Sequence, residues 1–230
     1  MQEENTNKPV IHVENLYRIY KSGLEKVYAL NGVSFDIMKG EFVAIVGTSG
    51  SGKSTLLNMM AGLEKPSKGK IVIAGRHIEK LNEQQLVRFR REHVGFIFQS
   101  YNLMPALNAI ENVALPLSFR GVDKKIREKR SREVLKHVGL EKYMTHRPNE
   151  MSGGQQQRVG IARALVVHPE IIFADEPTGN LDSRTAGEML SLMQDIVKKD
   201  KQTLVMVTHD DHLASYADKQ IRISDGKIVE

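Results

Sequence analysis

The stretch Gly47-Thr48-Ser49-Gly50-Ser51-Gly52-Lys53-Ser54 sets three glycines ahead of a lysine and a hydroxyl, matching G-x-x-x-x-G-K-[ST] in full. Glycines let backbone N–H groups converge on phosphate oxygens that side chains would obstruct. The helix expected to open here adds a partial positive charge aimed at the same anion. Lys53 has the reach for β- and γ-phosphates, Ser54 offers a hydroxyl to Mg²⁺, and Thr55 completes the binding segment. The chemistry is the holding of a nucleoside triphosphate. Taken alone, it leaves kinases, GTPases, helicases and transporter ATPases open.

A second run, Ile171-Ile172-Phe173-Ala174-Asp175-Glu176, is apolar and ends in two acids. Ligands of open parallel sheets bind at the carboxyl ends of strands, which would turn this pair toward the phosphate loop. Asp175 is placed to hold Mg²⁺, directly or through water, and Glu176 to orient and deprotonate an attacking water. The plainer alternative is that one of them caps a helix begun after Pro177. Gln99 ends the run Val94 to Phe98, and His209 follows Leu204 to Thr208. Both strand ends should gather near the nucleotide, as sensors of its γ-phosphate. A neutral histidine donates one hydrogen bond to a phosphate oxygen without needing a perturbed pKa.

Ser152-Gly153-Gly154-Gln155 precedes a helical pattern with Val159, Ala162, Leu165 and Val166 on one face. Ser152 is a natural N-cap, and the two glycines expose backbone N–H groups at a helix N-terminus. That makes a second anion site in one chain. Since one phosphate loop already surrounds one triphosphate, the second site suggests another molecule's nucleotide; an ordinary capped helix is the alternative.

The elements that must position these groups follow from hydropathy. Val33, Phe35 and Ile37 alternate as in a half-buried strand, whereas Phe42 to Val46 is continuously apolar, like a parallel strand covered on both faces. Ser54 to Ala61 reads as a helix. Val94 to Phe98, Ile171 to Ala174 and Leu204 to Val207 are further buried strands, and their alternation with helical patterns argues for a parallel α/β sheet. Ile221 to Ile223 and Ile228-Val229 form a hairpin around Asp225-Gly226, a strong turn pair. The stretch from about Ser100 to Gln157 has little strand character. In it Asp123 is expected to cap a helix carrying Ile126, Val134, Leu135 and Val138 inward, with Gly139 as its stop.

Composition bounds the rest. The 230 residues suit one substantial domain, and 40% hydrophobic with 27% charged residues is ordinary for a soluble globular protein. No cysteine is present, which excludes disulfides and Cys-based metal sites. No apolar run approaches the roughly 18–20 residues that span a bilayer. Met1 to Pro9 is polar and lacks the apolar region of a signal peptide, so it reads as a loose tail and export is not expected. The net charge of +5 favours anionic partners without choosing among them. The densest basic segment, Lys124 to Lys136, reads as a solvated helix face.

Taken together the motifs resemble the ABC ATPase family over nearly the whole chain, from about Ile11 to Glu230. They stand in family order: the P-loop Gly47 to Ser54, Gln99 of the Q-loop, the signature Met151-Ser152-Gly153-Gly154-Gln155, Asp175-Glu176 of Walker B, Asn180-Leu181-Asp182 of the D-loop and His209 of the H-loop. Met151 stands where the signature usually has leucine, a swap that conserves volume and polarity. Tyr20 stands where the family stacks an aromatic residue on adenine, with Tyr17 and Tyr28 as competitors. The resemblance implies an α/β fold, a P-loop NTPase with a RecA-like core and mainly parallel sheet, an antiparallel β subdomain at the N-terminal side and an inserted α-helical subdomain. It implies one ABC ATPase domain, with its core at about 10–99 and 158–230 and the helical subdomain at about 100–157.

Gly95-Phe96-Ile97-Phe98-Gln99, Asn102-Leu103-Met104-Pro105, Glu111-Asn112-Val113 and Ala174 to Asn180 are similar to the macrolide-exporter, lipoprotein-release and cell-division branch. That branch implies a head-to-tail homodimer. Each ATP is then held between the P-loop of one subunit and Ser152 to Gln155, with Asp182, of the other. Ser54, Gln99 and Asp175 would hold Mg²⁺, while Lys53, Glu176 and His209 serve catalysis. It further implies docking on an integral membrane permease at the cytoplasmic face of the cell membrane, through a groove between helical insertion and core. The output expected is mechanical export or release of a peptide, lipoprotein or drug; the alternative is transmembrane signalling to a cell-wall hydrolase or sensor kinase. Nucleic acid is not an expected partner, because the chain has neither long coiled-coil insertions nor a tandem second ATPase unit.

Overall fold

The computed structural model describes residues 8–23 and 25–229; the loose tail expected for Met1 to Pro9 lies, over residues 1–7, outside them. Two long strands come first, β1 (Ile11–Ser22) and β2 (Glu25–Ile37), paired antiparallel from Ile11 opposite Ile37 to Ser22 opposite Glu25. After β3 (Phe42–Val46) and helix α1 (Lys53–Met60), strand β4 (Lys68–Ile73) returns to pair with β1. Ala74 and Gly75, both at positive φ, then turn the chain into β5 (Arg76–His77). Positive φ at both central residues is the type I′ turn, whose twist matches the strands it joins. These strands make a four-stranded antiparallel sheet in the order β2-β1-β4-β5.

The second sheet carries the chemistry. Helix α2 (Glu83–His93) leads into β6 (Val94–Ile97), and the helices α3 (Ala109–Phe119), α4 (Lys124–His137) and α5 (Gly153–Leu165) follow. The chain continues through β7 (Ile171–Asp175), α6 (Ser183–Asp200), β8 (Thr203–Thr208), the single turn α7 (Asp211–Ala214), β9 (Lys219–Ser224) and β10 (Lys227–Val229). The strand order is β10-β9-β3-β8-β7-β6, and all pairs are parallel except the terminal β9–β10 hairpin. Val46 lies opposite Thr208, Asp175 opposite Val207 and Ile97 opposite Ala174. The carboxyl ends of β3, β8, β7 and β6 therefore finish level along one edge, where open parallel sheets take their ligands.

Every residue of β3 and β8 is buried, as the continuous apolar runs require. Alternate residues of β3 face different cores. Phe42, Ala44 and Val46 pack with α3, α5 and α6, while Val43 and Ile45 pack with α1 and the antiparallel sheet. The segment between β6 and α5 is helical throughout its regular elements, as expected, and α5 runs unbroken through residue 157. Asp123 does cap α4, its carboxylate accepting from Lys125 N at 2.9 Å, and Leu135 and Val138 are buried. Ile126 corrects the expectation: it is 49% exposed. The inward row of α4 runs Arg127, Ser131, Leu135 and Val138, whereas Ile126 stands in the row of Arg130, Glu133 and His137, all but Ile126 charged or polar.

Candidate active site

The phosphate loop leaves β3 at Gly47, where a side chain has no room: a Cβ would meet the Ile223 carbonyl and, at 2.7 Å, Ser51 Oγ. Gly52, at φ 104°, caps α1 in the left-handed region, and a Cβ there would meet the Ala29 carbonyl. The loop is braced from outside. The turn residue Gly226 donates its N–H to Ser51 O at 3.0 Å and accepts from Asn31 N at 2.7 Å, tying the last hairpin and β2 to the loop. Lys53 is buried, with its Nζ donating to Thr48 O at 2.8 Å. Burial holds its pKa below the ordinary lysine range, against the pull of Glu176 and Asp175. The two acids are thus the carboxylates nearest in effect to this ammonium.

Asp175 ends β7 and accepts a hydrogen bond from Ser54 Oγ at 3.3 Å. Burial pushes its carboxyl pKa up, the Ser54 bond opposes that, Glu176 adds to it and Lys53 subtracts. A hydroxyl and a carboxylate converging at a phosphate loop are hard oxygen donors of the kind Mg²⁺ takes, in ones and twos, alongside substrate phosphates. Glu176 lies at φ 42°, a left-handed conformation rare outside glycine, and its N–H donates to Val207 O at 3.0 Å. Its Oε1 stands 3.0 Å from His209 Nδ1. So Lys53, Ser54, Asp175, Glu176 and His209 form one cluster, built from the ends of β3, β7 and β8. Asp175 and Glu176 cap no helix; α6 starts at Ser183 behind Asp182.

Gln99 lies two residues past β6, and its Nε2 approaches Gly179 so closely that a Cβ there would come within 2.9 Å. Its carbonyl accepts from Asn180 Nδ2 at 2.9 Å, but its side chain has no hydrogen bond to Ser54 or Asp175. Tyr20 on β1 is 39% exposed, donates its hydroxyl to Glu64 Oε1 at 2.6 Å and has the Arg18 guanidinium 4.5 Å from its ring centre. Tyr17 is packed under Gly32, and Tyr28 is 46% exposed.

Ser152 caps α5 through a reciprocal pair: its hydroxyl accepts from Gln155 N at 3.3 Å, and its N–H donates to Gln155 Oε1 at 2.9 Å. Asp182 caps α6 likewise, accepting from Thr185 N at 3.0 Å and Thr185 Oγ1 at 2.7 Å. The two helix starts are neighbours, since a Cβ on Gly154 would come within 3.0 Å of Thr185 Cγ2. Among the described residues, no hydrogen bond or ion pair joins Ser152 to Gln155 with the phosphate loop. Two residues at this junction gave no signal in the sequence. Tyr101 packs its hydroxyl on Gly153, and Arg163 donates to the carbonyls of Tyr101 and Asn102.

A family model described as ABC transporter matches residues 30–179, from within β2 to the turn after Glu176. The chain belongs to the ABC transporter family. This ABC ATPase is 44% identical to the lipoprotein-releasing system ATP-binding protein LolD of Chromohalobacter salexigens, over 97% of the chain and 94% of that protein. It is 45% identical to the macrolide export ATP-binding/permease protein MacB of Shewanella sp., over 97% of the chain but 34% of that longer protein. Among solved structures it is similar to the ATP-binding cassette MJ0796 of Methanocaldococcus jannaschii, with a TM-score of 0.88 and 43% identity over 96% of this chain and 97% of that one. That cassette was solved as a dimer in a post-hydrolysis state bound to ADP and phosphate. The family, the fold and ATP hydrolysis are thereby established for this chain. No helix among its described residues is long and apolar enough to cross a membrane.

Proposed function

We propose that two copies of this ABC ATPase pair head-to-tail around two ATP molecules, and that opening and closing of the pair works a membrane permease at the cytoplasmic face. One observation carries the reading: Ser152 to Gly154 present a capped helix N-terminus, exposed at Ser152, with no bond to the phosphate loop of their own chain. A second anion site that its own nucleotide does not use fits a partner's nucleotide. The whole chain then works as one ATPase domain, with the helical segment of about 100–157 inserted into a core of about 10–99 and 158–230.

In this scheme Tyr20 takes the adenine, and the backbone of Gly47 to Gly52, with Lys53, Ser54 and Thr55, takes the phosphates. Ser54, Gln99 and Asp175 would hold Mg²⁺, which would supply neutralisation of the triphosphate's charge. Glu176 accepts the proton of the lytic water, and His209, whose Nδ1 stands 3.0 Å from the Glu176 carboxylate, holds the γ-phosphate in this scheme. The partner's Ser152, Gly153 and Gly154, with Asp182, close over the γ-phosphate, excluding water and adding fixed dipoles where charge develops. Because the nucleotide bridges two surfaces, its presence shifts an open–closed equilibrium. The permease contact falls to the groove between α2, β6, α3 and α5, floored by Val87, Phe96, Phe98, Pro116 and Val167 and edged by Phe119, 68% exposed. Names such as LolD and MacB among the relatives favour release or export as the output.

The chain has no cysteine, so one engineered pair gives a clean test. Ser49→Cys and Ser152→Cys, placed in a Glu176→Gln chain, should form a disulfide between copies only when Mg-ATP is present. A protein that stays monomeric and uncrosslinked at saturating Mg-ATP refutes the shared site. Co-expression with a membrane subunit and recovery of the complex tests the permease role.

A further inference from the structure

Beyond Gln99 the chain takes an unusual path. Tyr101 and Asn102 sit consecutively in the left-handed region, at φ 59° and 48°, without a glycine between them. L-residues adopt that conformation against a steric cost, so it persists only where the surroundings impose it. Here the imposing group is Arg163 of α5. Its Nη2 donates to Tyr101 O at 2.7 Å, and its Nη1 donates to Asn102 O at 2.5 Å. Two parallel donors on one rigid fork fix two successive carbonyls, which a lysine cannot reproduce. Burial lowers the Arg163 pKa with no carboxylate opposing it, so this side chain is spent on backbone carbonyls.

The far end of Tyr101 reaches the helix start that the shared-site reading assigns to the partner's nucleotide. Its hydroxyl packs on Gly153 so closely that a Cβ would come within 2.9 Å. Leu181 Cδ2 would be a looser neighbour of that Cβ, at 3.8 Å. Gln99 itself is tied to the same region, its carbonyl accepting from Asn180 Nδ2 at 2.9 Å. Gln99 is thus two residues from a ring packed against Gly153, on a segment whose two successive carbonyls Arg163 holds.

We propose that Tyr101 and Arg163 are positioning residues for ATP hydrolysis, a latch through which the segment after Gln99 sets where Ser152 to Gly154 stand against the partner's nucleotide. The proposal rests on the shared-site reading, and extends it from the two binding surfaces to the joint between them.

The test is a double-mutant cycle on the Tyr101–Gly153 contact. Gly153→Ala drives a Cβ into the tyrosine hydroxyl, while Tyr101→Phe removes that oxygen and leaves neighbours only at 3.8 Å. Gly153→Ala should lower kcat about tenfold or more, and adding Tyr101→Phe should restore it to within about threefold of the Tyr101→Phe chain. The affinity of dilute monomer for a fluorescent ATP analogue should not change in any of the three. A double variant as slow as Gly153→Ala overturns the proposal, and so does Gly153→Ala at the wild-type rate. A fall in the monomer's own ATP affinity would overturn the shared-site reading, and the latch with it. Should Gly153→Ala fail to fold, Arg163→Lys decides. It keeps the charge and loses the fork, so kcat should fall about tenfold with monomer affinity unchanged, whereas a wild-type kcat refutes the latch.

Discussion

Glu176→Gln separates the chemistry of the site from its assembly. The substitution hardly alters volume, and the left-handed backbone at φ 42° is the same burden for either residue. The contact to His209 Nδ1, at 3.0 Å, survives, because an amide offers either an acceptor or a donor to whichever tautomer the ring adopts. Stability should therefore stay within about 0.5 kcal/mol of the wild type. What disappears, in the proposed scheme, is the proton acceptor. General-base catalysis contributes about 10²–10⁴-fold, or roughly 2.7–5.4 kcal/mol of barrier at 1.36 kcal/mol per decade. Phosphate release at saturating Mg-ATP should fall by that factor while nucleotide binding is retained and an ATP-bound dimer accumulates on size exclusion. A kcat within about threefold of wild type would show that Glu176 is not the base. A lost ATP-binding signal would show instead that its charge is needed to hold nucleotide.

Asn112→Ala removes a fully buried amide that accepts from Met104 N at 2.7 Å and donates to the carbonyls of Met104, Leu107 and Asn108. Thermal unfolding should show a loss of about 2–4 kcal/mol, or roughly 5–10 °C in midpoint. Asp182 carries a pKa below the ordinary aspartate range because Thr185 donates to it, so its stabilisation is complete above the unfolded pKa and lost as pH falls through the folded one. Asp182→Ala should accordingly lower the melting midpoint at pH 7, with the gap to wild type closing in acid melts. Asp175 shows the opposite sign: burial raises its pKa, so the folded chain loses stability as pH climbs from the unfolded value through the raised one. Asp175→Asn should leave the nucleotide-free midpoint at pH 7 unchanged or higher, yet abolish magnesium-dependent nucleotide binding in titrations.

What could be read from the sequence was what is local in the chain. The phosphate loop, the acids after Ala174 and the capped start at Ser152 each declare their chemistry within about eight residues. The buried strands β3, β7 and β8 were equally plain, being continuous apolar runs. The antiparallel sheet was harder. Its first strand loses the period of two at register shifts between Val13 and Leu16, where bulging puts the wrong residues in step. Charge hid the packing of α4, since with so many long polar side chains one isoleucine says little about which row turns inward. The left-handed turn at Tyr101 and Asn102 left no trace at all. No glycine marks it, and the arginine that holds it lies some sixty residues along the chain, so only the folded backbone brings cause and effect together.

The opposed faces of β3 have a mechanical corollary. A single layer of backbone divides the interior: odd-numbered Val43 and Ile45 belong to the compartment that cradles the phosphate-loop helix, and even-numbered Phe42, Ala44 and Val46 to the one that supports the signature helix. The two sets of buried side chains thus lie on opposite faces of one sheet. The strand backbone is one tie between them, and side chains add others: Arg120 of α3 donates to the carbonyls of Arg91 and Glu92 on α2, and Ser54 donates to Asp175 across the strand ends. A volume change at Ile45 should then disturb the α1 side first, and one at Phe42 the α5 side.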